Sequence, residues 1–416
     1  MKFGYTRRLI TLGVVGGLVA GLVACSGSGG DSGGKVELEF LQSKPEAVAT
    51  VDALIAEFEA THPDITVKQN SSPDALTVLQ SRIAKDKAPD VVALNVSVYR
   101  NLIDSQILTD LSGTAAAESV TDDAATAYMH MSGQTDETLA LPWSVNAQVV
   151  LYNKGIYDQL GLEVPTTWSE MISNAEAIKA AGQNPFFFTW KDAWTAKTVF
   201  NSVAGSLQPA DFLTELQGGD STFADSSFYS EAAEKLLELK QYGQTDPFGK
   251  GYDDGNAAFA NGEAAMYVQG IWAIPPILAS NPDINLGAFV MPVTDDPSQT
   301  KILSGVDSLI GITTQSQHPE EAQEFLDFLL EQEPQATFTN DQHLFSVRSD
   351  VSSDDPVLAP LKAEWIDTGK VATYPDAMFT GSSDLSGVVQ VFLQDGDVDA
   401  FLAALDQDWQ ANGLRP

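Results

Sequence analysis

Between Val36 and Leu94 strand-like and helix-like stretches alternate, and that alternation restricts the fold more than any other feature of the chain. Val36, Leu38 and Phe40 alternate with Glu37 and Glu39, the pattern of a half-buried strand. Pro45 opens a helix whose apolar stripe is Val48, Val51, Leu54, Ile55 and Phe58. Ile65 and Val67 give a second strand, Leu76 to Ile83 a second helix. The run DVVAL, Asp90 to Leu94, has the continuous apolar form of a strand covered on both faces. Strand-helix-strand-helix-strand specifies a mainly parallel sheet with right-handed crossovers. In such sheets ligands collect beyond the carboxyl ends of the strands. That rule places Gln42, Ser43 and Lys44 at one rim with Asn95, which also reads as a helix cap.

The stretch Leu139 to Met171 carries the chain onward. Pro142 imposes a break, Val145 to Tyr152 reads as a strand rich in branched residues, and Asn153, Lys154 and Gly155 end it. Thr167 with Glu170 three residues later forms a capping box, so a helix is predicted from Trp168. Pro185 to Trp190 reads as a buried strand ending in WKDAW, where Trp190, Asp192 and Trp194 are site candidates and two tryptophans four apart also suit a shared core face. A helix is predicted over Glu231 to Tyr242, and a last one carries Val398, Phe401, Leu402, Leu405 and Trp409. Asp307 and Ser308 precede a strand, Leu309 to Ile312, and Pro319 opens the next helix. Tyr374 to Ser382 is a Gly/Pro loop with aromatics, either a surface loop or part of a binding cleft.

Two motifs carry a resemblance. The order PW, LYNK, LG, P and TW within Leu139 to Trp168 resembles the inter-lobe crossing of the extracellular sugar-binding proteins of bacterial ABC importers. GNAAFANGEAAMYVQGIW, Gly255 to Trp272, is similar to that family's sequence AF, NG, AAM, G and W: a helix, a Gly turn, a strand ending near Gln269, and a helix opening at Gly270. The resemblance implies an α/β, two-lobed fold of the type II periplasmic-binding-protein kind, each lobe a mainly parallel sheet flanked by helices. Residues 35–144 and 291–332 would form the first lobe, 146–290 and 333–416 the second. Hinges are expected at Ser144, Val145 and Asn146 and, on the return crossing LGAFVMP, at Val290. The implied ligand residues are Lys44, Asn95, Trp190, Asp192, Trp194, Gln269, Trp272, Asp307, Tyr374 and Phe379. Trp272 also suits a core position. An oligosaccharide ligand, a membrane permease partner and a monomeric state follow from the same likeness. LEFLQSKPEA, Leu38 to Ala47, leans towards the raffinose or isomaltooligosaccharide group.

At 416 residues the chain has room for more than one core, and 44% apolar with 9% aromatic residues is a globular composition. A formal charge of -35 argues against nucleic acid or an anionic membrane surface as partner. Lys2, Arg7 and Arg8 precede a small and apolar run from Leu9 to Ala24, the form of an export signal over residues 1–24. LVAC, Leu22 to Cys25, resembles the lipobox of bacterial lipoproteins, which makes Cys25, the sole cysteine, the expected lipidation site. Residues 26–34, SGSGGDSGG, read as a flexible tether of roughly 15–20 Å reach. The resemblance implies a lipid-anchored protein on the outer face of a Gram-positive cell membrane.

The chemistry that the chain lacks narrows its function. His62, His130, His318 and His343 are scattered, so no transition-metal cluster is spelled out, and neither a Walker loop, GxGxxG nor GxSxG occurs. No cofactor is expected. Aromatic rings with Asp, Asn, Gln and Lys suit a sugar, whose apolar C–H face and hydroxyl rim call for both. Two rivals remain open at this stage: a surface glycosidase, and a binding protein for a polyamine or peptide that exploits the acidity.

Overall fold

The computed structural model describes residues 35–414 apart from 73 and 104, so the expected export signal, Cys25 and the expected tether lie outside the described residues. Among the described residues nine strands form one sheet: β1 (Val36–Gln42), β2 (Ile65–Ser71), β3 (Val91–Leu94), β4 (Leu141–Asn153), β5 (Asn184–Phe186), β6 (Ala264–Gly270), β7 (Leu286–Phe289), β8 (Ile302–Ile312) and β9 (Val371–Ala372). The order is β2-β1-β3-β8-β4-β6-β5, with β7 paired to β4 and β9 to β8. β1 pairs parallel with β2 and β3, as the alternation requires, and β5 pairs parallel with β6. The central pairings, β3 with β8, β8 with β4, and β4 with β6 and β7, are antiparallel.

β4 and β8 are the two long strands, and they join the two lobes. β4 pairs β8 from Leu141 to Gln148, then turns to β6 and β7 from Gln148 to Asn153. Pro142 does not interrupt this strand: it sits opposite Leu309, and the irregularity appears as register shifts between Pro142, Ser144 and Val145. A proline is accommodated where the ladder is already irregular, since its missing N–H is not called upon. The return crossing lies elsewhere than expected. Phe289 pairs with Val150 on the second-lobe side of β4, so the segment around Val290 stays with that side, and β8 is the strand that runs back. Asp307 and Ser308 lie inside β8 rather than ahead of it.

Two buried clusters make up the core, and their boundary does not coincide with that of the lobes. One gathers Phe40, Phe58, Val92, Leu309, Phe325 and Phe338, and continues past the crossing strands to Phe259 and Ile274. The other gathers Met171, Phe186, Phe200, Met266, Phe401 and Trp409. The chain after residue 332, expected in the second lobe, divides between them. Phe338 stacks on Trp143 at 3.7 Å between ring centroids, and Leu344, Val347, Leu358 and Leu361 join the first cluster, whereas Tyr374 and everything apolar and buried from Ala377 to Trp409 joins the second. The capping box at Thr167 and Glu170 starts the helix Trp168–Ala180 as its spacing predicts. β5 is shorter than the apolar run suggested: Phe187 keeps one bond to β6, through Met266 O at 3.2 Å, and Phe188 to Trp190 run irregularly ahead of the helix Ala193–Leu207. Among the described residues no helix is long and apolar enough to cross a membrane.

Candidate functional site

A cleft of about 400 Å³ opens where the ends of β1 and β3 face the helix Ala193–Leu207 and the end of β6. Six of the expected residues line it: Lys44, Asn95, Trp194, Trp272, Asp307 and Tyr374. So do Ser43 from the first rim and Asn146 from the crossing strand.

The first-lobe wall is organised by Asp307. Its Oδ2 lies 2.6 Å from Lys44 Nζ and accepts hydrogen bonds from the hydroxyls of Ser144 (3.2 Å) and Ser308 (3.1 Å). Its Oδ1 accepts from Asn146 Nδ2 at 3.1 Å. Burial pushes this carboxyl up, but the charge of Lys44 and the hydrogen bonds from Lys44, Asn146 and Ser308 outweigh it and hold the group below the ordinary carboxylate range. With its oxygens engaged by four residues, Asp307 aims Lys44 and Asn146 rather than offering itself. Tyr374 completes the chain by donating its hydroxyl to Asn146 Oδ1 at 2.6 Å. Asn95 starts the helix Val96–Ile103, its Oδ1 accepting from Val98 N at 2.9 Å, and the residue also lines the cleft.

The second-lobe wall is a helix face. Trp194, Lys197, Thr198 and Asn201 recur at three- and four-residue spacing on Ala193–Leu207 and all line the cleft. Lys197 Nζ pairs with Asp376 Oδ2 at 2.5 Å, and Asn201 Nδ2 donates to Asp376 Oδ1 at 3.3 Å. Burial raises the Asp376 carboxyl and the charges of Lys197 and Arg100 more than reverse this, so it too is held below its usual range. Trp194 remains 39% exposed, propped against the Tyr252 ring at 4.9 Å. Trp272 stands on the short turn after β6, reached because Gly270 leaves its indole room. Burial pushes the Tyr128 phenol, also in the lining, up to about 12, and Tyr374 well above its ordinary value, so both present neutral hydroxyls.

Four expected residues lie outside the lining. Trp190 is 1% exposed and stacks on Phe188 at 4.5 Å; it precedes the helix that carries Trp194, so the two do not share a face. Asp192 turns to the backbone N–H of Tyr252, which donates to its Oδ2 at 2.7 Å, and thereby fixes the start of the Trp194 helix. Gln269 is 1% exposed within β6, its Nε2 directed to the Tyr267 hydroxyl at 3.4 Å. Phe379 packs into the second core against Trp409 at 5.2 Å. The charged and larger polar residues missed were Glu46, Arg100, Tyr128, Gln148, Lys197, Asn201 and Asp376. A polar stripe through Trp194 at helical spacing would have found Lys197 and Asn201, and the loop YPDAMFTGS already contained Asp376.

Among the described residues no group of three or more His, Cys, Asp or Glu could hold a metal ion. What the cleft offers is two indoles, neutral hydroxyls and amides, two lysines paired with carboxylates, and an arginine whose guanidinium is taken up by main-chain carbonyls. Such a surface recognises by stacking and hydrogen bonding rather than by charge.

Over 337 residues the chain is 29% identical to the multiple sugar-binding protein of Streptococcus mutans, covering 78% of each. It is 25% identical over 381 residues to an uncharacterised ABC transporter extracellular-binding protein of Pyrococcus horikoshii, covering 84% of this chain and 83% of that one. The fold resembles the solute-binding protein RafE in complex with raffinose, with a TM-score of 0.78 at 23% identity over 91% of this chain and 99% of that one. It also resembles a Bacillus licheniformis sugar transporter in complex with stachyose, with a TM-score of 0.72 at 17% identity over 90% and 99%. Residues 42–336 match the family described as bacterial extracellular solute-binding protein, and with the two-lobed fold and its inter-lobe cleft in place the chain belongs to that family.

Proposed function

We propose that this protein is the capturing component of an ABC carbohydrate importer, taking a neutral oligosaccharide of the raffinose type into the cleft and presenting it to a membrane permease. The observation that carries the reading is the pairing of Trp194 and Trp272 with the neutral groups of Asn146, Tyr128 and Tyr374 in one cleft. Indole rings cover the apolar face of a pyranose, and each direct hydrogen bond to a hydroxyl nets about 0.5–1.5 kcal/mol. The relatives named multiple sugar-binding protein and raffinose-bound RafE support the ligand class.

Closure follows from the crossing strands. The register shifts at Pro142, Ser144 and Val145 in β4, and the facing segment of β8 near Val306, are the places where a two-stranded ribbon bends with least loss of its ladder. A ligand held from both sides favours the closed population, which the permease recognises. The expected lipid on Cys25 and the tether would keep this cycle beside the membrane, with the protein acting as a monomer on the outer face of the cell.

The charges in the cleft favour capture over hydrolysis. A glycosidase needs one carboxyl kept protonated near neutral pH to act as the general acid. Of the three carboxyls in the lining, Asp307 and Asp376 are both held in the opposite direction by their lysines, and Glu46 lies 3.9 Å from the Lys44 ammonium, a charge that does not favour a protonated acid. Calorimetry with raffinose, stachyose and neutral disaccharides, with spermidine as the charged control, tests the reading. Micromolar or tighter binding of one saccharide is expected. Binding of spermidine alone, or release of cleaved sugar, would overturn it.

A further inference from the structure

Arg100 makes an unusual set of bonds across the cleft. It stands on the helix Val96–Ile103, whose Val98, Tyr99 and Leu102 belong to the first core. Its Nη1 donates to the main-chain oxygens of Asp376 (3.2 Å) and Phe379 (2.9 Å), and its Nη2 to those of Ala377 (2.6 Å) and the hydroxyl of Ser132 (3.3 Å). The loop that receives these bonds belongs to the second lobe. Tyr374, Ala377 and Phe379 are buried in the second core, and Thr380 N and Leu414 N tie the loop to the last helix through the oxygens of Asn412 and Met378, each at 2.7 Å. One guanidinium from one lobe therefore gathers three carbonyls of the other. With the Ser132 hydroxyl the guanidinium meets four acceptors from two separate nitrogens, which a planar fork of five N–H donors can do and a lysine ammonium, with three donors on one nitrogen, cannot.

A second observation places the same loop against the same helix. A Cβ on Gly381 would lie 1.8 Å from Asn101 Nδ2 and 2.7 Å from Ser97 O, so no side chain fits at 381 while the lobes keep this separation. The loop also faces the ligand wall. Asp376 takes Lys197 on one oxygen and Asn201 on the other, which turns the amide N–H of Asn201 to the loop. Asn201 Oδ1 is then buried in the cleft lining with no hydrogen-bond partner, an acceptor suited to a hydroxyl.

We infer that Arg100 is a positioning residue for ligand capture: it clasps the loop 374–381 across the lobes and, through Asp376 in that loop, sets the aim of Lys197 and Asn201. The clasp holds the lobes together before ligand arrives, which lowers the cost of closing when it does. Without it three carbonyls lose their shared donor, the loop relaxes on its own lobe, and Asp376 no longer meets the helix face at a fixed angle. The part of the inference that concerns affinity rests on the reading of the cleft as a saccharide site; the clasp itself does not.

The test uses spin labels at Lys85→Cys and Glu234→Cys, one exposed position on each lobe, in the full chain with Cys25→Ser. Distances are measured without sugar, and raffinose affinity by calorimetry. Arg100→Ala and, separately, Gly381→Val are expected to lengthen and broaden the inter-lobe distance. Arg100→Ala should raise the raffinose Kd at least about tenfold, Arg100→Lys should restore only part of it, and the loss should disappear in an Asp376→Ala background. Unchanged distances in both variants overturn the clasp, whatever the affinity. Fully additive effects of Arg100→Ala and Asp376→Ala overturn the positioning role. A parent protein that binds no saccharide fails the functional reading, while the sugar-free distances still decide the clasp.

Discussion

A methyl group on Gly270 would lie 1.9 Å from Cζ3 of Trp272, so the last residue of β6 and the indole two positions on occupy one space. Gly270 has an extended backbone, and its requirement is therefore room rather than an unusual dihedral angle. Gly270→Ala should expel the ring from the cleft and weaken saccharide binding about tenfold, the same loss as Trp272→Ala, with little change in the cooperativity of unfolding. Calorimetry and tryptophan fluorescence of the two variants check this; wild-type affinity in Gly270→Ala would show that the indole is not a binding surface.

The two tryptophans of the WKDAW segment should part company on mutation. Trp190 is packed among Phe188 and Phe248, and its loss to alanine should cost ~3–5 kcal/mol of stability. Among the described residues Trp194 has the Tyr252 ring as its aromatic partner and is 39% exposed, so Trp194→Ala should cost about 0.5–1.5 kcal/mol of folding while lowering affinity about tenfold. Urea unfolding beside calorimetry separates the two; equal stability losses would contradict the assignment.

Phe338 probes which lobe owns the chain after residue 332. Its ring stacks on Trp143 in β4 at an interplanar angle of 12° and is fully buried. Phe338→Ala should destabilise by ~3–5 kcal/mol and leave saccharide contacts in place. Hydrogen exchange is the discriminating measurement: amides of β1 and β3 should lose protection and those of the helix Ser227–Lys240 should keep theirs. Loss confined to the second helix set would refute the partition.

Acid should act on the cleft through Asp307. Its folded pKa lies below the unfolded value of about 3.9, so it contributes stability that is fully present above that value and is lost as pH falls through the lower folded one. The Tm of the wild type should therefore exceed that of Asp307→Asn by its full margin near neutral pH, and the margin should shrink below about pH 4. A margin constant from neutral to strongly acidic solution would mean that Lys44 and Asn146 do not act through the charge.

Periodicity told the outer strands and helices of the first lobe, because alternation and a 3.6-residue stripe are local properties that tertiary packing reinforced there. It told less about the crossing. Pro142 suggested a break, but β4 carries it at an irregular point of its ladder, a context no local pattern contains. Val290 was misplaced for a related reason: which of two apolar strands runs back between lobes depends on pairing, and β8 is settled by partners more than 150 residues away, such as Gln148 opposite Leu303. In the site, residues at strand ends were legible by rule, as with Lys44 and Asn95. Arg100, Lys197 and Asp376 were not, because charged side chains on helices and loops normally face solvent, and only the meeting of two lobes turns these inward.

The route of β8 also governs the order in which the molecule can be completed. β3 finds its antiparallel neighbour only at Leu309–Ile312, after the chain has built β4 to β7. A nascent or newly exported chain must therefore carry an unfinished amino-terminal sheet, its β3 edge open, until the second half emerges. Such long-range closure slows folding relative to a chain of local contacts, and it makes the amino-terminal third the segment most in need of protection before the final strand arrives.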